Sequence, residues 1–158
     1  MGKLIWLFPI ALALHNSEEA LWLPGWMQRR GGRFSAIDPR VFRWATTVLS
    51  LLACLLAWLS WKTGPQTFWT DLLVGAAIVA LCNVFVPHVA LSLLTKEWMP
   101  GTATGVVVCL PALGFLVFTA WREHLANPWH CLACAAGVGI LLAAMLGALF
   151  RCTARMQG

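Results

Sequence analysis

Two groups of polar residues interrupt apolar stretches of this chain, and their types suit metal chemistry. The first lies in His15-Asn16-Ser17-Glu18-Glu19, and the second consists of Asn83 and His88. Imidazole and carboxylate are the usual ligands of Zn²⁺ and non-haem iron. We therefore expect a divalent transition metal bound by His15, His88 and one of the two glutamates. The other glutamate would act as general base on a water that the metal polarises, and Asn83 would orient a substrate or donate to an oxyanion.

The first group is arranged on one face of a helix. At about 100° per residue, Glu18 lies about 60° to one side of His15 and Glu19 about 40° to the other. A carboxylate at bilayer depth costs roughly 2.5–3.5 kcal/mol on insertion scales, so two adjacent ones need a proton, a partner, water or a cation. Both glutamates are thus candidates for metal binding and for proton transfer. The alternative is a neutralised His⁺–Glu⁻ cluster that fixes helix packing, or a metal-free proton path.

Composition indicates what positions these residues. Hydrophobic residues make up 60% of the 158 residues and charged residues 11%, with a mean hydropathy of +0.77. Soluble domains carry roughly 25% charged residues, so the composition excludes an ordinary soluble enzyme. Segments 41–60, 72–94, 102–120 and 129–150 are each close to the roughly 20 residues that cross a bilayer as a helix, and a fifth, 4–23, holds the first polar group. We expect an all-α fold, a polytopic transmembrane bundle of about five helices in a single domain, 1–158.

Turn-forming residues predict where some helices end. Pro24 and Gly25 predict the end of the first helix, and residues 28–40 predict a surface loop. Thr102 is available to cap the helix that begins after Met99-Pro100-Gly101. Cys131 and Cys134 form a C-x-x-C pair without a second pair at zinc-ribbon spacing, which favours packing on a common helix face.

The second polar group lies beside a proline. Pro87 cannot donate to the carbonyl of Asn83, and the resulting kink could bring Asn83 and His88 together, although they would be about 140° apart on a straight helix. His15 and Glu19 lie about 16 and 22 Å along the first helix, and Asn83 and His88 about 18 and 26 Å along the third. The first and third helices are parallel if the second spans once. Both groups then occupy one slab of the bilayer, which suggests a single site.

The distribution of basic residues predicts the orientation. With five spans, eight Lys and Arg fall on one side of the membrane: Arg29, Arg30, Arg33, Arg40, Arg43, Lys96, Arg151 and Arg155. The other side has Lys3, Lys62 and Arg122. The positive-inside rule then places the N-terminus outside and the C-terminus in the cytoplasm. The same distribution explains the formal charge of +5 without a nucleic-acid partner.

Several of these residues together form a family pattern. The pattern comprises Trp6-Leu7-Phe8-Pro9-Ile10, then His15-Asn16-Ser17-Glu18-Glu19, then Pro24-Gly25-Trp26, and downstream Asn83, His88 and Met99-Pro100-Gly101. It resembles the HXXEE-domain family of bacterial membrane proteins, over residues 6–118. The chain departs from that pattern at Met99, where an aromatic residue is expected. The resemblance implies a multi-spanning membrane protein without an established activity, and it supports the same site residues.

Two functions of different classes follow from the sequence. The first is a membrane-embedded metal-dependent enzyme, hydrolase-like, that acts on a lipid-like or membrane-borne substrate in the bacterial cytoplasmic (inner) membrane, with Zn or Fe as its metal. The second is a transport or structural module that binds protons or a cation without catalysis. A transporter usually contains internal repeats, and none is visible here, although a homo-oligomer could supply the missing half. The lipid bilayer is the partner that both functions share.

Overall fold

The computed structural model describes residues 2–31 and 38–156, and every regular element in them is a helix. After a 3₁₀ turn at Leu4–Trp6, seven α-helices follow: α1 (Leu7–Arg30), α2 (Pro39–Thr63), α3 (Phe68–Asn83), α4 (Ala90–Thr95), α5 (Thr102–Thr104), α6 (Leu110–Arg122) and α7 (Pro128–Met156). Wider π-helical turns join α3 to α4 at Val84–Val89, and α5 to α6 at Gly105–Cys109. The expected all-α fold is confirmed.

Within residues 2–31 and 38–156, four helical stretches are long and apolar enough to cross a membrane: Pro39–Thr63, Phe68–Thr95, Thr102–Arg122 and Pro128–Ala148. They correspond to the last four predicted spans. The first predicted span, 4–23, lies in α1, which has the length of a span, 24 residues, but contains two glutamates and two arginines. This helix packs along α2 and also contacts α3 and α6, and three of its polar side chains, His15, Asn16 and Glu18, are buried. The described part of the bundle therefore combines four apolar spans with one partly polar helix, and α3 packs against α2, α6 and α7.

The prediction that α1 ends at Pro24 and Gly25 is wrong, because the helix continues to Arg30. A proline within a helix leaves the carbonyl four residues before it without its usual donor. Here that carbonyl belongs to Ala20, and Nε of Arg43 on α2 donates to it at 3.1 Å. The loop expected at residues 28–40 is correspondingly shorter, since α2 already begins at Pro39.

The third span is broken where the sequence has Pro87. Within the π-helical turn, Val86 leaves the helical conformation (φ −131°, ψ 109°). Proline lacks an N–H and disfavours a helical residue before it, which accounts for the position of the break. The chain then resumes as α4 and reaches a turn at residues 96–101. Because of this break, His88 does not follow the face that a straight α3 would give it.

The prediction that Thr102 caps the next helix is also wrong. Gly101 occupies the N-cap position with φ 93°, and the Thr102 hydroxyl pairs with Ser92 Oγ at 3.0 Å. A left-handed conformation at this position favours glycine, since a Cβ would be strained there. The first helical N–H groups are thus left for a partner from outside the turn.

An apolar zone and a polar zone join the helices of the bundle. The apolar zone contains fully buried side chains from several helical elements, among them Ile5, Leu73, Leu113 and Leu116. The polar zone lies where α3 and α7 begin, and we call it the Asp71 cluster: Asp71, Asn127, His130 and Cys131. Asp71 Oδ1 accepts from the Asn127 N–H at 2.9 Å, and Asp71 Oδ2 contacts His130 Nδ1 at 3.2 Å. The Asp71 cluster joins α3 to α7. It lies at the end of the bundle opposite the turn 96–101, because Asp71 is near the start of the third span and the turn follows the end of that span.

Candidate metal centre

Three potential ligands from two spans meet inside the bundle. His15 and Glu19 come from α1, His88 comes from the broken third span, and their ligand atoms all lie within 4.8 Å of one another. We call these residues the His–Glu–His group. Both imidazoles are almost fully enclosed, with 3% of His15 and 1% of His88 exposed, and the Glu19 side chain is 13% exposed. Two nitrogen ligands and one carboxylate in an enclosed site could hold a divalent metal.

The ring orientation of His88 is set by a backbone carbonyl. Nδ1 of His88 lies 3.0 Å from the carbonyl oxygen of Pro100, which can only accept a hydrogen bond. Nδ1 therefore carries the proton, and a neutral His88 presents a lone pair at Nε2. That nitrogen lies 2.9 Å from Glu19 Oε1. A hydrogen bond from the other ring nitrogen is how proteins usually orient a metal-binding histidine.

The orientation of His15 follows from a short chain of hydrogen bonds. The Thr104 hydroxyl donates to Glu18 Oε2 at 2.6 Å, because a carboxylate can only accept. The same hydroxyl lies 3.2 Å from His15 Nδ1, so it must accept the Nδ1 proton. His15 then also presents its Nε2 lone pair to Glu19, at 3.7 Å from Oε1. The two rings meet edge to face, with centroids 4.9 Å apart.

These tautomers create a demand for positive charge. Two Nε2 lone pairs and a carboxylate oxygen face the same small space, and like partial charges at these distances repel one another. The Glu19–His88 contact of 2.9 Å is favourable only when a proton or a cation lies between the two atoms. The arrangement could therefore hold either a proton shared by these groups or a metal ion.

Asn83 is the fourth polar side chain at this point. Its Nδ2 lies 3.2 Å from His88 Nε2 and 3.5 Å from His15 Nε2. An amide can donate one hydrogen to each ring, and with its orientation reversed it would present Oδ1 instead. Asn83 thus bridges both histidines.

Glu18 has a different environment from Glu19. In addition to the Thr104 hydroxyl, its Oε2 accepts the backbone N–H of Thr104 at 2.8 Å. This N–H belongs to the first turn of the helix that begins at Thr102, where N–H groups lack helical acceptors and a negative charge is favourable. Glu18 therefore caps a neighbouring helix, and the Thr104 hydroxyl joins it to His15.

Gly101 makes the close packing of both rings possible. A Cβ at this position would lie 2.5 Å from His88 Cε1 and 3.1 Å from His15 Cε1. Its φ of 93° also favours glycine. The turn 96–101 thus closes over the His–Glu–His group with its backbone, and no larger residue fits there without moving the rings.

Comparisons with known proteins show which family has these motif residues. The model of a family described as "Protein of unknown function with HXXEE motif" matches residues 6–117. The chain belongs to the HXXEE family. It is similar to the uncharacterized protein YrkK of Bacillus subtilis (strain 168). The two sequences are 27% identical over 144 aligned residues, and the alignment covers 91% of each chain. No solved structure matches the chain.

Most of the residues that the sequence singles out lie close together in the structure. The structure brings together four of the five residues selected from the sequence: His15, Glu19, Asn83 and His88. The fifth, Glu18, lies on the far side of Thr104 and is not among the grouped ligand atoms. In this HXXEE protein the two adjacent glutamates therefore make different contacts.

Three residues that set the geometry were not selected from the sequence. They are Thr104, the carbonyl of Pro100, and Gly101. Pro100-Gly101 did predict a turn, but a turn signal does not say which side chains will pack against it. A threonine in an apolar helix gives no signal of its own, since such residues commonly bond to their own helix.

Proposed function

We propose that this HXXEE protein is a membrane-embedded, metal-dependent enzyme, hydrolase-like, that acts on a lipid-like or membrane-borne substrate. The metal would be Zn²⁺ or Fe²⁺, held by His15, Glu19 and His88. The proposal rests on one observation above all: two imidazoles, each with its proton fixed at Nδ1, direct Nε2 at the same carboxylate. Ion binding resolves the repulsion among these acceptors, and intramembrane ionisable groups generally have a functional role.

The chain's own residues have separate tasks in this proposal. A bound divalent metal would supply Lewis acidity and lower the pKa of a water. Asn83, within reach of both histidines, would hold the substrate or donate to negative charge that develops on it. Glu18 would keep His15 in the metal-binding tautomer through Thr104, and is the remaining candidate for proton transfer.

The surroundings support a membrane-borne substrate. Four spans are long and apolar enough for a bilayer, and α1 places its polar face among them. Phe85 and Val86, next to Asn83 in the broken third span, have exposed side chains. An acyl chain is the kind of molecule that such a surface would meet. We propose the bacterial cytoplasmic membrane as the location, with the N-terminus outside.

Elemental analysis of detergent-purified protein tests the metal. We expect near-stoichiometric zinc or iron in the wild type and its loss in Glu19→Gln, which keeps the shape of the side chain but removes the charge. The neighbouring variant Glu18→Gln is the matched control and should keep most of the metal, because Glu18 lies outside the group. Wild-type protein free of transition metal after purification without chelators, and reconstituted with neither zinc nor iron, would refute the proposal.

A second candidate function rests on the same contact. If a proton lies between Glu19 and His88, the group belongs to a proton- or cation-binding transport module. Proton flux into liposomes should then be present in the wild type and absent in Glu19→Gln, while the purified protein contains no metal. Assembly into a homo-oligomer would complete such a path. The two functions therefore make opposite predictions for the elemental analysis.

A further inference from the structure

A polar cavity, separate from the His–Glu–His group, lies at the end of the bundle where α1 ends. It has a volume of about 360 Å³ and is lined by Trp26, Arg29, Arg30, Glu97 and Trp98. These residues come from the end of α1 and from the turn 96–101 that covers the His–Glu–His group. The volume is within the range of small-molecule sites, about 300–1,000 Å³. We call it the arginine cavity.

The wall of the arginine cavity is rich in hydrogen-bond donors. Both arginines donate and cannot accept, and Glu97 supplies the single carboxylate of the lining. Trp26 is 5% exposed, and its indole N–H has no acceptor among the residues that the structure describes. An excess of donors and a net positive charge suit a ligand that offers several acceptor oxygens and a negative charge.

One arginine is already held in position for such a ligand. The Arg30 guanidinium lies 4.7 Å from the centroid of the Trp26 ring, a distance that allows a cation–π interaction. Its Nη2 also pairs with Glu97 Oε2 at 2.9 Å. Glu97 is mostly exposed, so its carboxylate is free to leave when another anion arrives. The Glu97 carboxylate thus marks where an anionic oxygen fits.

The surroundings indicate a lipid as the source of the anion. Trp98 on the rim is exposed, and so are Leu93 and Leu94 at the end of α4. Tryptophan is enriched at the level of lipid headgroups, and exposed leucines beside it suit acyl chains. Arginines at this level attract anionic headgroups, and the guanidinium matches the geometry of phosphate. A soluble anion would gain nothing from the apolar rim.

We propose that the arginine cavity binds the phosphate group of an anionic membrane lipid through Arg29 and Arg30. Trp26 is seven residues after Glu19 on the same helix, about 10 Å along its axis. A lipid held by its phosphate therefore places the bonds that follow the headgroup near the His–Glu–His group. That this lipid is also the substrate rests on the proposed function, whereas phosphate binding does not.

Native mass spectrometry of the full chain in detergent tests the proposal with three probes: phosphatidic acid, diacylglycerol with the same acyl chains, and inorganic phosphate. We expect phosphatidic acid to bind and diacylglycerol to bind at least about tenfold more weakly, the loss expected when charge-assisted hydrogen bonds are removed. The double variant Arg29→Gln, Arg30→Gln should lose phosphatidic acid binding to the same extent. Glu97→Gln should bind it severalfold more tightly, because Arg30 loses its competing carboxylate.

Arg122 provides the matched control. Its guanidinium also lies near an aromatic ring, Phe118, at 5.9 Å from the centroid, and near a glutamate, Glu123, at 3.9 Å. Arg122→Gln should leave binding unchanged. Equal loss in Arg122→Gln, equal binding of diacylglycerol, or binding of inorganic phosphate alone would each overturn the proposal. The titration is repeated after chelation: unchanged lipid binding separates this site from the proposed metal, so that either can fail without the other.

Discussion

Two polar clusters with histidine and carboxylate, in the part of the chain that the structure describes, differ in how their hydrogen bonds are satisfied. In the Asp71 cluster, the carboxylate receives a backbone N–H from Asn127 and faces an exposed imidazole, His130. In the His–Glu–His group, the Glu19 carboxylate faces two enclosed ring nitrogens whose protons are committed elsewhere. The first cluster is complete as it stands. In the second, the close contact between Glu19 and His88 leaves room for a proton or a cation, and this is what distinguishes a candidate site from a structural contact.

The strongest way to break this comparison is to remove one histidine from each cluster. We expect His88→Ala to abolish metal binding, since a first ligand counts for more than the roughly 10–100-fold that surrounding residues contribute. His130→Ala should leave the metal content unchanged, and it should cost at most about 1 kcal/mol of stability because His130 is exposed. Elemental analysis and thermal unfolding of both variants provide the measurements. Equal metal loss in the two variants would contradict the distinction.

Two glycines sharpen the comparison at the level of the backbone. In Gly101→Ala the new Cβ would collide with His88, so we expect metal affinity to fall by about 10–100-fold. In Gly75→Ala the new Cβ would lie 2.7 Å from the carbonyl oxygen of Cys131, which forces α3 and α7 apart. That variant should unfold at lower temperature and yet retain its metal. A Gly101→Ala protein with unchanged affinity would show that the rings need no close backbone.

A smaller effect on metal affinity is expected when the hydroxyl of a threonine is removed. Thr104 contacts the His–Glu–His group, whereas Thr70 does not. Thr104→Val removes the hydroxyl that joins Glu18 to His15, and metal affinity should fall about tenfold. Thr70 offers the control, because its hydroxyl bonds Ser60 Oγ at 2.9 Å and the Gly64 carbonyl at 2.7 Å. Thr70→Val should reduce stability by about 1–3 kcal/mol, as expected for buried polar groups left unpaired, without a change in metal. A competition titration with a chromophoric chelator measures both affinities.

The smallest effect concerns the thiols. Cys131 Sγ lies 3.9 Å from Asp71 Oδ1 and is buried, whereas the ligand atoms of the His–Glu–His group lie elsewhere in the bundle. Cys131→Ala should lower the free energy of unfolding by about 1 kcal/mol. The combined variant Cys131→Ala, Cys134→Ala should bind metal as the wild type does. Metal loss in this variant would move the candidate centre to the other end of the molecule.

Much of the fold could be predicted from hydropathy alone, because a span must be long and apolar whatever it packs against. The helix ends were less predictable. Pro24 permits continuation of α1 only because Arg43 on another helix supplies the missing donor, and such a contact leaves no local signal. Similarly, Thr102 has the type of a capping residue, but Gly101 takes that position.

Part of the candidate site could be predicted from helical spacing and depth in the bilayer. His15 and Glu19 are one helical turn apart, and Asn83 and His88 lie at a similar depth on a parallel span, so four residues could be grouped by arithmetic. The different contacts of the two glutamates could not be predicted in this way, because Glu18 and Glu19 are both directed into the bundle. Only the position of Thr104 decides which of them meets the histidines.

The hydroxyl of Thr104 has one further consequence, for the evolution of these sequences. It links Glu18 on the first helix to the start of another helix, 86 positions later in the sequence. Neither residue keeps its role without the other, so related chains should conserve or replace them as a pair. A relative that lacks an acid at the position of Glu18 should also differ at the position of Thr104, whatever else it retains.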